Sequence, residues 1–153
     1  MEGEKQRLIE RMMRLCSISE HCRSDIRAKV ARVEPSWCEE ILECLCKEGY
    51  INEMRYATAF ARDKSSLSGW GSAKIKVALL SKGIEGSVIE DALGEIEPLA
   101  AQKRLSALLS ARWKTLAGEA DPAVRRAKLF RYALGRGYDY AQIKEIYDNL
   151  RRN

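Results

Sequence analysis

Apolar residues return every three or four positions along almost the whole chain, as at Leu8, Met12 and Leu15 early on and at Ile41, Leu42 and Leu45 further along. That period matches the α-helical turn and supplies one buried stripe per helix, whereas no stretch alternates strictly as a half-buried strand does. The expected class is all-α. Breaks rich in Gly, Pro, Ser and Asn fall at residues 34–36, 49–52, 65–71, 83–87, 98, 118–122 and 135–139, leaving about nine helical segments.

Several breaks carry a helix-start signal. Ser36 with Glu39, Ser87 with Glu90 and Asp139 with Gln142 have the spacing of a capping box, in which two side chains satisfy amides at the helix N-terminus. Asp121 before Pro122 reads as a cap followed by proline at the first helical position.

The segments also repeat. Lys82, Gly83 and Ile84 correspond to Arg136, Gly137 and Tyr138, with Ile75 and Leu129 eight positions before each glycine. Ile89, Leu93 and Ile96 then correspond to Ile143, Tyr147 and Leu150. A third copy runs from Ile26 and Val30 to Ile41 and Leu45, with an extra residue near Pro35 and no glycine in its turn. With a helix before each pair, the expected organisation is three tandem three-helix repeats, at residues 1–52, 53–97 and 98–153, in an elongated, curved array. A unit this small buries little surface alone, so its neighbours must supply part of its stability.

The chain has 153 residues, the size of one ordinary domain. No apolar run reaches the roughly 20 residues that cross a bilayer, and the opening residues lack a signal-peptide pattern, so a cytoplasmic protein is expected. Charge is unevenly spread. Residues 98–153 hold 12 Lys or Arg against 5 Asp or Glu, a net of +7, while residues 1–97 hold 15 against 17, a net of −2. A basic C-terminal third favours a polyanionic or acidic partner.

Candidate chemistry is sparse. Five cysteines, Cys16, Cys22, Cys38, Cys44 and Cys46, are an odd number without a C-x-x-C pair, which fits buried structural thiols in a reducing compartment. A zinc site built from Cys38, Cys44, Cys46 and His21 meets the objection that C-x-C on a helix points its members to different faces. The single histidine, His21, sits beside Cys22 and Glu20, but sequence neighbours on a helix do not face one another, so a solvated or capping role is expected. Gly69, Trp70, Gly71, Ser72, Ala73 and Lys74 lack the order of a phosphate-binding loop and read as the lead into a helix. Glu39, Glu40, Glu43 and Glu48 read as a solvated face. No catalytic residue, metal or cofactor is expected, although an enzyme with a hidden site remains a third class.

What survives is a basic set, Lys74, Lys76, Lys82, Arg125, Arg126, Lys128, Arg131 and Arg136. With Ile75, Ala78 and Leu79 inward, Lys74 and Lys76 lie outside the buried stripe, as do Lys128 and Arg131 around Leu129 and Ala133. Guanidinium groups on rigid helices suit carboxylate or phosphate recognition. Phe130, Tyr132, Tyr138 and Tyr140 interleave with these charges in a composition that stacks bases, but Tyr138 and Tyr147 occupy repeat positions held elsewhere by Ile84 and Leu93, which favours core packing.

The run Glu20, His21, Cys22, Arg23, Ser24, Asp25, Ile26, Arg27, Ala28, Lys29, Val30 resembles the opening unit of the RecX family. Leu45, Glu48, Gly49, Tyr50, Ile51, Asn52, Glu53, Arg55, Tyr56, Ala57 and Phe60, then Gly71, Lys74, Ile75, Leu79, Lys82, Gly83 and Ile84, are similar to that family's later signatures. The likeness covers residues 15–96 well and the last unit through helical spacing and the basic-Gly turn. Cys22 stands where the family usually has Ser, and Val77 and Ala78 where it commonly has polar residues. The resemblance implies three tandem three-helix repeats and a regulator, usually an inhibitor, of the RecA recombinase, lying in the groove of the RecA filament on single-stranded DNA; a monomer without catalytic activity is expected. The alternative is a helical protein of helix-turn-helix type that binds DNA itself.

Overall fold

The computed structural model describes residues 2–153, and among these every regular element is helical. Nine α-helices follow in order: α1 Glu2–Ile18, α2 Arg23–Ala31, α3 Cys38–Lys47, α4 Glu53–Ser66, α5 Ser72–Ser81, α6 Gly86–Gly94, α7 Pro98–Thr115, α8 Pro122–Gly135 and α9 Tyr140–Arg152. A single 3₁₀ turn, Pro35–Trp37, stands between α2 and α3. The protein is all-α, as the period of its apolar residues requires.

The chain forms two compact units. Unit 1 comprises the residues up to Ala59 together with Leu79–Ala92, and unit 2 comprises Phe60–Ala78 with Leu93–Asn153. In unit 1, α1, α2 and α3 close over Leu8, Met12, Ile26, Val30, Ile41, Leu42 and Leu45, with the thiols of Cys16 and Cys38 filling the same core. In unit 2, α7, α8 and α9 close over Leu105, Leu109, Leu129, Phe130, Ala133, Ile143 and Tyr147. Ring edges meet ring faces here, with Trp113 and Phe130 both packed against Tyr147 at centroid distances of 5.7 and 5.5 Å.

Two helix starts form as their sequences dictate. Asp139 accepts from the Gln142 amide at 2.8 Å while Gln142 Oε1 accepts from the Asp139 amide at 3.2 Å, completing the capping box of α9. Asp121 accepts from the Ala123 amide at 2.9 Å with Pro122 opening α8. Two other starts differ from expectation. Pro35 begins the 3₁₀ turn, so the capping carboxylate is Glu34, which accepts from the Ser36 amide and hydroxyl, and Ser36 lies inside that turn. Ser87 likewise lies inside α6, because the Glu85 carbonyl already accepts from the Ile89 amide and the helix begins at Gly86.

The corresponding turns after α5 and α8 are the same structure. Gly83 and Gly137 are left-handed, with φ +77° and +98°, a conformation that costs a side-chain-bearing residue about 1–2 kcal/mol. In each turn the glycine amide reaches back to the carbonyl of Leu80 or Leu134, and the next amide to that of Leu79 or Ala133. This is the Schellman termination, and Ile84 and Tyr138 are thereby turned into the core. The α2 turn needs no glycine, since the amides of Val33 and Glu34 both bond the Val30 carbonyl.

Candidate partner-binding surface

Seven of the eight singled-out cations belong to unit 2, on α5 and on α8 with its terminating turn. Backbone bonds join these two elements. The carbonyls of Arg136 and Gly137 accept from the amides of Gly71 (2.7 Å) and Ala73 (3.0 Å), so the turn after α8 caps the start of α5. The Tyr138 hydroxyl donates to the Gly69 carbonyl and Arg136 Nη1 to the Ser68 carbonyl, both at 2.9 Å. The approach is close enough that a Cβ on Gly137 would stand 2.5 Å from Lys74 N and Cβ, and a Cβ on Gly71 would overlap the Gly137 carbonyl. Arg136 and Lys74 are therefore neighbours.

Each cation has its own environment. Lys74 and Lys76 are exposed on α5 beside buried Ile75, and the Lys74 ammonium lies 4.5 Å from the centre of the Trp70 ring. Arg125 is half-buried, with its guanidinium 3.4 Å from the centre of Trp113 and donating to the Trp113 carbonyl at 2.7 Å. Arg126 lies 4.2 Å from the centre of Phe130 and donates to the Tyr140 hydroxyl at 2.9 Å. Lys128 is exposed and paired with Glu119 at 3.0 Å; this pairing holds the Glu119 carboxyl below its ordinary range. Arg131 is exposed, with no acidic or aromatic partner among the described residues. Arg136 and Arg112 lie on the same ring, 5.1 and 5.2 Å from the centre of Tyr132.

Lys82 is the eighth, in unit 1. Its ammonium is 2.7 Å from Asp25, which raises the lysine above its usual range. Burial works to raise the Asp25 carboxyl, but hydrogen bonds from Lys82 and Cys22 outweigh it and hold the carboxyl below its ordinary value of 3.8.

Sequence reasoning passed over two further basic features. Arg104 on α7 donates to buried Ser65 at 2.7 Å and stands with Arg136 beside one groove. On α1, Arg7, Arg11 and Arg14 recur at helical spacing along a second groove that also includes Glu4, Leu8 and Val33. The i, i+4, i+7 period of the α1 arginines was the available signal, masked by the negative sum of the first 97 residues.

Cys16, Cys22 and Cys38 are buried, and Cys44 and Cys46 half-buried, all five as free thiols. Burial pushes the Cys16 and Cys22 thiols up, away from the nucleophilic thiolate. His21 Nε2 is hydrogen-bonded with the Ser19 hydroxyl at 3.2 Å. Among the described residues no three His, Cys, Asp or Glu side chains are grouped to hold a metal ion, and no helix is long and apolar enough to cross a membrane.

Against this geometry, known proteins agree in one direction. Residues 52–93 match the second three-helix domain of RecX and residues 101–147 the third. The regulatory protein RecX of Prosthecochloris aestuarii is 28% identical over 154 residues, covering 99% of both chains. The chain belongs to the RecX family. The RecX protein of Yersinia enterocolitica is 25% identical over 94% of this chain and 97% of its own. A crystal structure of RecX from Lactobacillus salivarius matches over the full length of both chains with a TM-score of 0.85 at 20% identity, a likeness of fold. The RecX match places α4–α6 and α7–α9 in tandem three-helix domains and assigns the chain to a family of regulatory proteins.

Proposed function

We propose that this protein regulates the RecA recombinase by binding RecA filaments on single-stranded DNA, lowering ATP hydrolysis, filament growth and strand exchange. The observation that carries the reading is the match of two successive RecX domains to the segments that hold the basic residues of α5 and α8. The protein acts in the cytoplasm as a monomer of three repeats, at residues 1–52, 53–97 and 98–153, by occupying a surface, with no chemistry and no cofactor of its own.

Within the basic set the exposed members, Lys74, Lys76, Lys128 and Arg131, make the partner contact. Arg125, Arg126 and Arg136 spend part of their donor capacity on Trp113, Tyr140 and Ser68 and support the face from beneath. Lys82, the member of the set in unit 1, is held by Asp25. The electrostatic share of binding favours a large anion, whether acidic filament surface or DNA phosphate.

The deciding experiment titrates the protein into RecA on single-stranded DNA while ATP hydrolysis is followed, and measures binding to bare and RecA-coated DNA over a salt series. Falling hydrolysis and tighter binding to the coated strand are expected. Equal affinity for both, falling steeply with salt, would replace this reading by direct DNA binding.

A further inference from the structure

Unit 2 carries a groove of about 440 Å³ whose walls are unlike the rest of the basic surface. One wall is a single face of α7, on which Arg104, Ala107, Leu108 and Ala111 follow at i, i+3, i+4 and i+7. The other is the segment after α4, Ser66 to Gly69, with Arg136 beside it. Leu67 stands on this wall, 82% exposed, and extends the apolar part of the groove. No acidic residue and no aromatic ring lines the groove.

Its two guanidinium groups are fixed from behind. Arg104 Nη2 donates to Ser65, itself only 4% exposed, and Arg136 Nη1 donates to the Ser68 carbonyl. Arg104 Nε is buried without a hydrogen-bond partner, an unmet donor of the kind that buried guanidinium groups ordinarily satisfy. The groove thus sets two guanidinium groups, with the Ser66 and Ser68 residues beside them, against an apolar remainder of Leu67, Ala107, Leu108 and Ala111, and no carboxylate offsets its positive charge.

From this we infer that the groove docks an acidic peptide segment of a partner protein, with a carboxylate between Arg104 and Arg136 and an adjacent apolar side chain against Leu67, Ala107, Leu108 and Ala111. Charge complementarity selects the carboxylate, since a planar guanidinium fork matches it in two parallel bonds. The apolar floor selects the neighbour. Nucleic acid fits less well, because strand binding pairs backbone charge with aromatic stacking platforms and this floor has none. The inference deepens the regulatory reading by giving the chemistry of one protein contact and rests on it for the source of the peptide; binding to the groove is measured without a filament.

The test uses the full-length protein and a short fluorescein-labelled peptide in which aspartates alternate with leucines. Anisotropy should show saturable binding that is lost when asparagines replace the aspartates and weakened when serines replace the leucines. Ala111→Glu, at an exposed position on the α7 wall, should weaken binding about tenfold by setting a like charge against the peptide, and Leu67→Ser, on the opposite wall, should weaken it by a smaller factor. Circular dichroism checks that both variants keep their helicity. No binding at millimolar peptide, equal binding of the asparagine peptide, an unaffected Ala111→Glu variant, or displacement of the peptide by oligothymidylate would each overturn the proposal. Peptide binding in a protein that leaves RecA hydrolysis unchanged would instead overturn the regulatory reading and leave the groove standing.

Discussion

The two units hold their cations in different ways. In unit 1 the pairs are with carboxylates: Lys5 with Glu40, Arg27 with Glu39, Arg55 with Glu20 at 2.6 Å and Lys82 with Asp25 at 2.7 Å. Unit 2 keeps some of these, as at Lys128 and Glu119, but sets many of its cations on rings: Arg125 on Trp113, Arg126 on Phe130, Arg112 and Arg136 on Tyr132, Lys64 and Lys74 on Trp70. A carboxylate cancels the charge it binds, while a ring face orients a cation and leaves its charge intact. Aromatic packing therefore gives unit 2 order without neutrality. The core of unit 1 is mainly aliphatic and thiol, with Trp37 and Tyr50 packed at its margin, and the cations named above are balanced by acids.

The comparison is broken most severely at the two equivalent glycines. Gly137→Ala should cost about 3 kcal/mol or more, because its Cβ meets Lys74 backbone as well as an unfavourable φ. Gly83→Ala, with open space around it, should cost only the conformational penalty of about 1–2 kcal/mol. Urea unfolding of the two variants measures the difference, and equal losses would mean that the close approach of Gly137 to α5 contributes nothing.

A smaller effect separates the two kinds of pairing. Arg125→Met should lose about 1–2 kcal/mol through the ring contact and the bond to the Trp113 carbonyl. Arg27→Met should lose less, since its pair with Glu39 is exposed, and what it loses should vanish in high salt. Thermal melts at low and high salt distinguish them; a strongly salt-dependent loss at Arg125 would contradict the ring-held account.

Acid should act on unit 1 through Asp25. Its folded carboxyl titrates below the unfolded one, so its contribution is complete above the unfolded value and is lost as pH falls through the folded value. Lys82 is shifted the opposite way, and its contribution fades only as alkaline pH passes its raised value. Asp25→Asn should therefore flatten the loss of stability as pH falls through and below the ordinary Asp value of 3.8, relative to the unaltered protein, as urea midpoints across that range would report. An unchanged acid limb would assign the effect to other carboxylates.

The smallest effect on stability is expected at Arg131. Arg131→Ser should stay within about 0.5 kcal/mol, yet weaken filament binding measured by ATP hydrolysis. Replacing Arg7, Arg11 and Arg14 on α1 by Ser sharpens the contrast: an equal weakening there would show that the contact is not confined to unit 2.

Local patterns were legible in the sequence wherever the physics is local. The Asp139 and Gln142 box, the Asp121 and Pro122 start, and the inward Leu129 flanked by outward Lys128 and Arg131 all follow from spacing along a single helix. Ser36 and Ser87 misled because the same spacing occurs one or two residues inside the true start, and only Pro35 and the Glu85 carbonyl decide where the helix begins. Periodicity placed Lys128 and Arg131 outside the buried stripe of their helix, but it holds no sign that Trp113 and Tyr140 meet Arg125 and Arg126. The Arg104 and Arg136 groove was illegible for the same reason, since it needs α7, the segment after α4 and the turn after α8 to be brought together.

The capping of α5 by Arg136 and Gly137 also orders events during synthesis. The first amides of this helix leave the ribosome some 65 residues ahead of the carbonyls that receive them. Until that later stretch has been made, the nascent α5 has water in place of its cap, and a transcript ending before codon 136 yields a helix whose start is never closed.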